Sequence, residues 1–139
     1  MTLDGKVALV TGGGTGIGKA IAKAISDVGG KVVIIGRKEE SLKEAQGEIG
    51  LNIETMVCDV TQEPQVVDVF SSIKETHGKL DILINNAGMA VKAKSHELEY
   101  ELWKKVIDVN LNGAFLCAKE AMKIMVEQKS GRIINIGSI

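Results

Sequence analysis

Five short apolar runs recur along the chain, and between them lie stretches whose apolar residues return every three or four positions. The runs cover residues 7–10, 31–35, 53–57, 82–84 and 132–136, and they are near-continuous in Val, Ile and Leu. Such runs predict parallel strands covered on both faces, since a half-exposed sheet would alternate apolar with polar. The stretches at 17–28, 39–49, 62–76 and 100–128 carry helical periodicity. Gly29-Gly30 gives the first helix a stop, and Gly78 followed by Asp81 ends the third. Thr61 is the expected N-cap of the third helix, with Pro64 tolerated in its first turn.

The order β-α-β-α-β-α-β-α-β predicts one α/β domain over residues 1–139. Right-handed crossovers make it a Rossmann-type doubly wound parallel sheet, most simply in strand order 3-2-1-4-5. The fifth run closes the sequence. Ile133, Ile134 and Ile136 are therefore expected on an edge with no following helix to cover one face. Exposed apolar edges invite unwanted pairing. The expectation is the front portion of a larger fold, truncated after its fifth strand and poorly soluble by itself.

Composition narrows the function classes. A hydrophobic content of 45 % in 139 residues suffices for one core. With 17 basic and 18 acidic side chains the net charge is −1, which sets nucleic acid aside as the main partner. No apolar run approaches the roughly 20 residues that span a bilayer. Met1 leads almost at once into the first strand, leaving no room for a leader, so a cytoplasmic protein is expected. Cys58 and Cys117 lie far apart in apolar surroundings, which predicts buried free thiols. His77 and His96 are isolated and expected on the solvated surface; no metal site is predicted.

The first run enters Thr11-Gly12-Gly13-Gly14-Thr15-Gly16-Ile17-Gly18, and a helical stretch follows directly. Strand, tight turn and helix start bring free backbone N–H groups and the positive end of a helix dipole to one point, where a diphosphate can bind. Glycines alone are a weak signal, because they also simply permit turns. Four more motifs follow in order. Asp59-Val60 succeeds the third run and Asn85-Asn86-Ala87-Gly88 the fourth; Asp108-Val109-Asn110 lies in the long helix, and Ile136-Gly137-Ser138 closes the fifth run. Together, in this order and over the whole chain, they resemble the short-chain dehydrogenase/reductase family.

The resemblance implies roles for these positions. Gly12 serves the tight turn, Gly16 the close approach of a pyrophosphate, and Gly18 the packing of helix on strand. Gly14, Thr15 and Ile17 offer N–H or hydroxyl donors. Asp59 accepts from the adenine amino group while Val60 packs on the ring; the alternative for Asp59 is a helix cap. Asn86, Ala87, Gly88 and Val109 belong to the cofactor-contacting set, and Asn85 is expected mainly to brace neighbouring strands. After the second run stands Ile35-Gly36-Arg37-Lys38, with no carboxylate to hold a ribose 2′-hydroxyl. Arg37 and Lys38 suit a 2′-phosphate, which favours NADP(H). The alternative is that they only solvate a helix start whose dipole Glu39 and Glu40 complement.

In this family the Ser of the fifth strand hydrogen-bonds the substrate oxygen, and the Asn of the long helix positions a water in a proton relay. Those positions here are Ser138 and Asn110. A Tyr-x-x-x-Lys pair that supplies the acid or base belongs after the Ser, beyond this sequence. Tyr100 and Lys104 match its spacing but precede Ser138 by a whole helix, and are expected to cap or pack. The reading is an NADP(H)-dependent oxidoreductase interconverting a carbonyl and a secondary alcohol, a homo-oligomer (dimer or tetramer) in full-length form, and inactive or nearly so as 139 residues. The alternative is a non-catalytic fragment that binds dinucleotide or a partner, using Val106, Phe115, Leu116, Met122 and Met125 for assembly or merely to cover the sheet.

Overall fold

The structure, a computed structural model, describes residues 1–50 and 52–138. Its elements are β1 (Val7–Thr11), α1 (Gly16–Asp27), β2 (Lys31–Gly36), α2 (Glu39–Ile49), β3 (Ile53–Val57), α3 (Glu63–His77), β4 (Ile82–Asn85), α4 (Tyr100–Ile107), a π-helical turn (Asp108–Asn112), α5 (Gly113–Gln128) and β5 (Arg132–Asn135). The strands form one sheet in the order β3-β2-β1-β4-β5, as the pattern predicts, and every pairing is parallel. In register, Ala8 of β1 stands beside Val32 of β2 on one side and Ile82 of β4 on the other.

Successive strand residues point to opposite faces, so continuous apolar runs feed two cores. Leu9, Val33, Ile35 and Leu83 join Phe70 and Ile73 of α3 and Cys117 and Ala121 of α5 on one face. Val10, Val32 and Ile34 join Ala22 of α1 and Leu42 and Ala45 of α2 on the other. Both thiols are buried and unpaired, as expected. The edge is also as expected in part: Ile134 and Ile136 are exposed, whereas Ile133 packs against the core.

Three expectations are corrected. Thr61 does not cap α3: the helix starts one residue later, Gln62 occupies the cap position without a side-chain hydrogen bond, and the Thr61 hydroxyl donates to Asp59 Oδ1 at 2.7 Å. His77 is not a solvated residue. Its side chain is only 7 % exposed and faces Glu54 at 3.1 Å, since the last turn of α3 folds onto β3. The single long helix is interrupted by the π turn, where one extra residue enters the spiral. Among the described residues no helix is long and apolar enough to cross a membrane.

Candidate functional site

At the carboxyl ends of the strands, where the order reverses between β1 and β4, two cavities adjoin. Ligands of open α/β sheets bind at such switch points. The first is a cleft of about 290 Å³. The glycine turn after β1 lines its floor, with Gly12 at φ +63 and the Gly12 carbonyl drawn close under α1. Gly18 allows that approach: a β-carbon there would collide with the Gly12 carbonyl oxygen and lie 2.5 Å from Asn86 Nδ2. Thr15, the residue before α1, makes no side-chain cap, so the first N–H groups of the helix keep their free hydrogens.

Thr11 and Asn86 fix the turn to the end of β4. The buried Thr11 Oγ1 accepts from the backbone N–H of Asn86 at 2.9 Å and of Ala87 at 2.8 Å. Asn86 Nδ2 in return donates to the carbonyls of Thr11 at 3.1 Å and Gly12 at 3.3 Å. The Asn86 side chain, expected among the cofactor contacts, therefore has its amide nitrogen engaged by the turn backbone. Asn85 braces the sheet as expected, donating to Asn135 Oδ1 at 3.0 Å and to the Ala114 carbonyl at 3.3 Å.

The far walls of the cleft carry the other predicted groups. Gly14, Thr15, Arg37, Lys38, Asp59, Val60, Ala87, Gly88 and Val109 all line it. Arg37 and Lys38 are exposed, and neither pairs with a carboxylate among the described residues; Glu39 bonds Lys43 instead, at 3.0 Å. Asp59 Oδ1 accepts from the Thr61 N–H and hydroxyl, and Oδ2 has no partner among the described residues. Gly16, at φ +51, has open space where its β-carbon would be. Sequence reasoning missed Ser41, Leu42 and Cys58 in this wall. Ser41 lies one helical turn beyond Arg37, a spacing that could have found it. Burial, with the Asp59 charge added, pushes the Cys58 thiol up to about 11, so it stays protonated there.

The second cavity, about 830 Å³, shares Ala87 and Gly88 with the first. Ile17, Asn86, Asn110 and Ser138 line it, together with Met89, Leu111 and Phe115; no ionisable side chain does among the described residues. Asn110 sits in the π turn. Its Oδ1 accepts from the Met89 N–H at 2.7 Å and its Nδ2 donates to the Met89 carbonyl at 2.9 Å. A β-carbon on Gly88 would lie 3.2 Å from Asn110 Oδ1, so the glycine admits the amide beside the strand end. Tyr100 lines neither cavity: it is exposed, with Lys104 Nζ 4.8 Å from its ring centroid. No group of three or more His, Cys, Asp or Glu able to hold a metal occurs among the described residues.

Comparison with known proteins agrees with this architecture. The chain is 38 % identical over 138 residues to an uncharacterised oxidoreductase of Staphylococcus aureus (strain MRSA252), covering 99 % of this chain and 60 % of that protein. An uncharacterised oxidoreductase of Staphylococcus saprophyticus is 40 % identical over 141 residues, with the same coverage of 99 % and 60 %. Among solved structures, a variant of actinorhodin polyketide ketoreductase crystallised with NADPH superposes with a TM-score of 0.92 at 37 % identity, over 96 % of this chain and 53 % of that one. A short chain dehydrogenase from Bacillus anthracis gives 0.91 at 37 % identity, over 94 % and 56 %. This chain thus spans little more than half the length of these proteins. The family model for short chain dehydrogenases matches residues 6–139, and the chain belongs to that family.

Proposed function

We propose that the protein is an NADP(H)-dependent oxidoreductase that interconverts a carbonyl and a secondary alcohol, and that this chain supplies its dinucleotide-binding part. One observation carries the reading. A cleft walled by a glycine turn and by two cations, Arg37 and Lys38, that have no carboxylate partner among the described residues opens into a cavity at Asn110 and Ser138 that no ionisable side chain among those residues lines. The donor set suits a dinucleotide: the uncapped start of α1 suits a pyrophosphate, and the β-carbon-free contact at Gly18 keeps the turn tight enough to present its amides. The similar ketoreductase that holds NADPH is consistent with the choice of cofactor.

When bound, the cofactor supplies the hydride. The chain supplies position. Gly12, Gly14, Thr15, Gly16, Ile17 and Gly18 form the diphosphate cradle, and Arg37 and Lys38 hold the added 2′-phosphate. Asp59 accepts from the adenine through its unpartnered Oδ2, while Val60 packs beside it. Asn86, Ala87, Gly88 and Val109 shape the passage to the second cavity. There Ser138 donates to the substrate oxygen. Asn110, with both amide atoms on Met89, holds that passage open and leaves room for a water at its Oδ1. The exposed Trp103, Leu111 and Phe115 on α4, the π turn and α5 support assembly into a homo-oligomer. Of the five side chains weighed for assembly, Phe115 and Met122 are exposed and Val106 is half-buried, whereas Met125 and Leu116 pack into the core.

Calorimetric titration with NADPH and NADH tests the reading. NADPH should bind more tightly, by roughly tenfold or more if Arg37 forms a bidentate pair with phosphate. No heat with either cofactor would overturn it. The 139-residue chain assayed alone is expected to bind NADPH without oxidising it against a simple ketone.

A further inference from the structure

Ser41 is a wall residue of the cleft to which nothing above assigns a task. It is the third residue of α2, half-buried, and it shares the cleft with Arg37 and Lys38. It also touches the glycine turn, because a β-carbon on Gly14 would lie 3.3 Å from Ser41 Cβ. Serines inside helices commonly return their hydroxyl to a backbone carbonyl one turn earlier or to a cap. Ser41 does neither: its Oγ has no partner among the described residues. Of the other residues that line the cleft, Leu42 is apolar and Cys58 holds a protonated thiol, and Asp59 supplies the cleft's one carboxylate among the described residues. A hydroxyl, a guanidinium and an ammonium, each without a side-chain partner among the described residues, therefore line one cleft.

We infer that Ser41 is a specificity-determining residue for the cofactor, its Oγ–H donating to the 2′-phosphate of NADP(H) as the third donor beside Arg37 and Lys38. This rests on the reading that the cleft takes NADP(H). The physical ground is the asymmetry between anionic and neutral acceptors. A hydrogen bond to a phosphate oxygen is shorter and about twice as strong as one to a ribose hydroxyl. A phosphate monoester also offers three terminal oxygens, so a planar guanidinium, an ammonium and a hydroxyl can each find one. With NADH the same hydroxyl meets a neutral diol that competes poorly with water. Ser41 should therefore separate the two cofactors without shaping the cleft for both.

The test is calorimetric titration of the protein and its variants with NADPH and with NADH. Ser41→Ala should weaken NADPH by roughly tenfold and leave NADH within about twofold, the difference expected for one hydrogen bond to an anion. Alanine is the better helix former, so folding is not at risk, and a melting curve verifies it. Ser41→Thr keeps the hydroxyl and should keep the preference. Arg37→Ala serves as the reference. If it abolishes the preference while Ser41→Ala does not, the role of Ser41 is overturned and the NADP(H) reading stands. If both variants keep a wild-type preference for NADPH, the roles of Arg37 and Ser41 are overturned and the NADP(H) reading stands; if the wild type shows no preference, the NADP(H) reading fails and this inference with it. Equal weakening of both cofactors by Ser41→Ala would make the residue merely structural, which also overturns the inference.

Discussion

Thr11 and Asn86 each complete the other's backbone. Two amide hydrogens converge on one buried hydroxyl oxygen, and an amide nitrogen answers two carbonyls. Removing the hydroxyl at constant shape isolates that role. Thr11→Val leaves two part-buried N–H groups without an acceptor, and should cost about 2–4 kcal/mol, read from urea unfolding. The loss of NADPH affinity should accompany it, because the same bonds hold the floor of the cleft. Asn110 makes a milder case. It is exposed, so Asn110→Ala should change stability by less than about 1 kcal/mol. Amide exchange at Met89 should rise all the same, since its N–H donates to Asn110 Oδ1.

At the scale of elements, close approaches at glycine rank by what stands opposite. A β-carbon on Gly113 would lie 2.6 Å from Val60 Cγ2 and 3.2 Å from Val60 Cβ, side-chain atoms that a small shift of that residue can draw back. One on Gly18 would strike the Gly12 carbonyl, which cannot move without opening the turn. Gly113→Ala should therefore cost about 1 kcal/mol and Gly18→Ala about 3 kcal/mol, with cofactor binding lost only in the second. Thermal melts and titrations on the pair check the ranking. Strand order and helix positions were legible because continuous Val/Ile/Leu runs and helical periodicity report burial on two faces directly. The π turn was not. Asp108, Val109, Asn110, Leu111 and Asn112 read as ordinary helix, and the hydrogen bonds that tie Asn110 to Met89 are tertiary contacts that no local pattern encodes. Ser41 and His77 were missed for a related reason. A single polar residue on a helix reads as solvated, and only the packing of that helix shows whether it meets a cleft or a carboxylate.

The whole molecule should lose stability at both ends of the pH scale, through different groups. Burial raises the Glu54 carboxyl, but hydrogen bonds and charge from His77 and Lys31 outweigh it and hold the group below 4.5. The folded state then binds the proton less readily than the unfolded chain. The contribution is complete above 4.5 and is lost as pH falls beneath it, modestly because Glu54 is partly exposed. The thiols run the other way. Burial and the Asp59 charge push Cys58 from 9.0 to about 11, and burial with the nearby Cys58 pushes Cys117 to about 12. Stability should fall as pH rises beyond 9.0, where unfolded thiols ionise first. Denaturant midpoints between neutral and alkaline pH check the slope, and replacing both cysteines by alanine should flatten it. The five residues Asp108–Asn112 meanwhile absorb one surplus residue between two helical cylinders. Deleting one of them would let the spiral close into regular 3.6-residue turns with the phase of α4 against α5 kept, because the wider turn is what takes up the surplus. Trp103 and Phe115 would keep their bearings on the outer face, and a one-codon loss here would be felt only locally, at the Asn110 amide that reaches Met89.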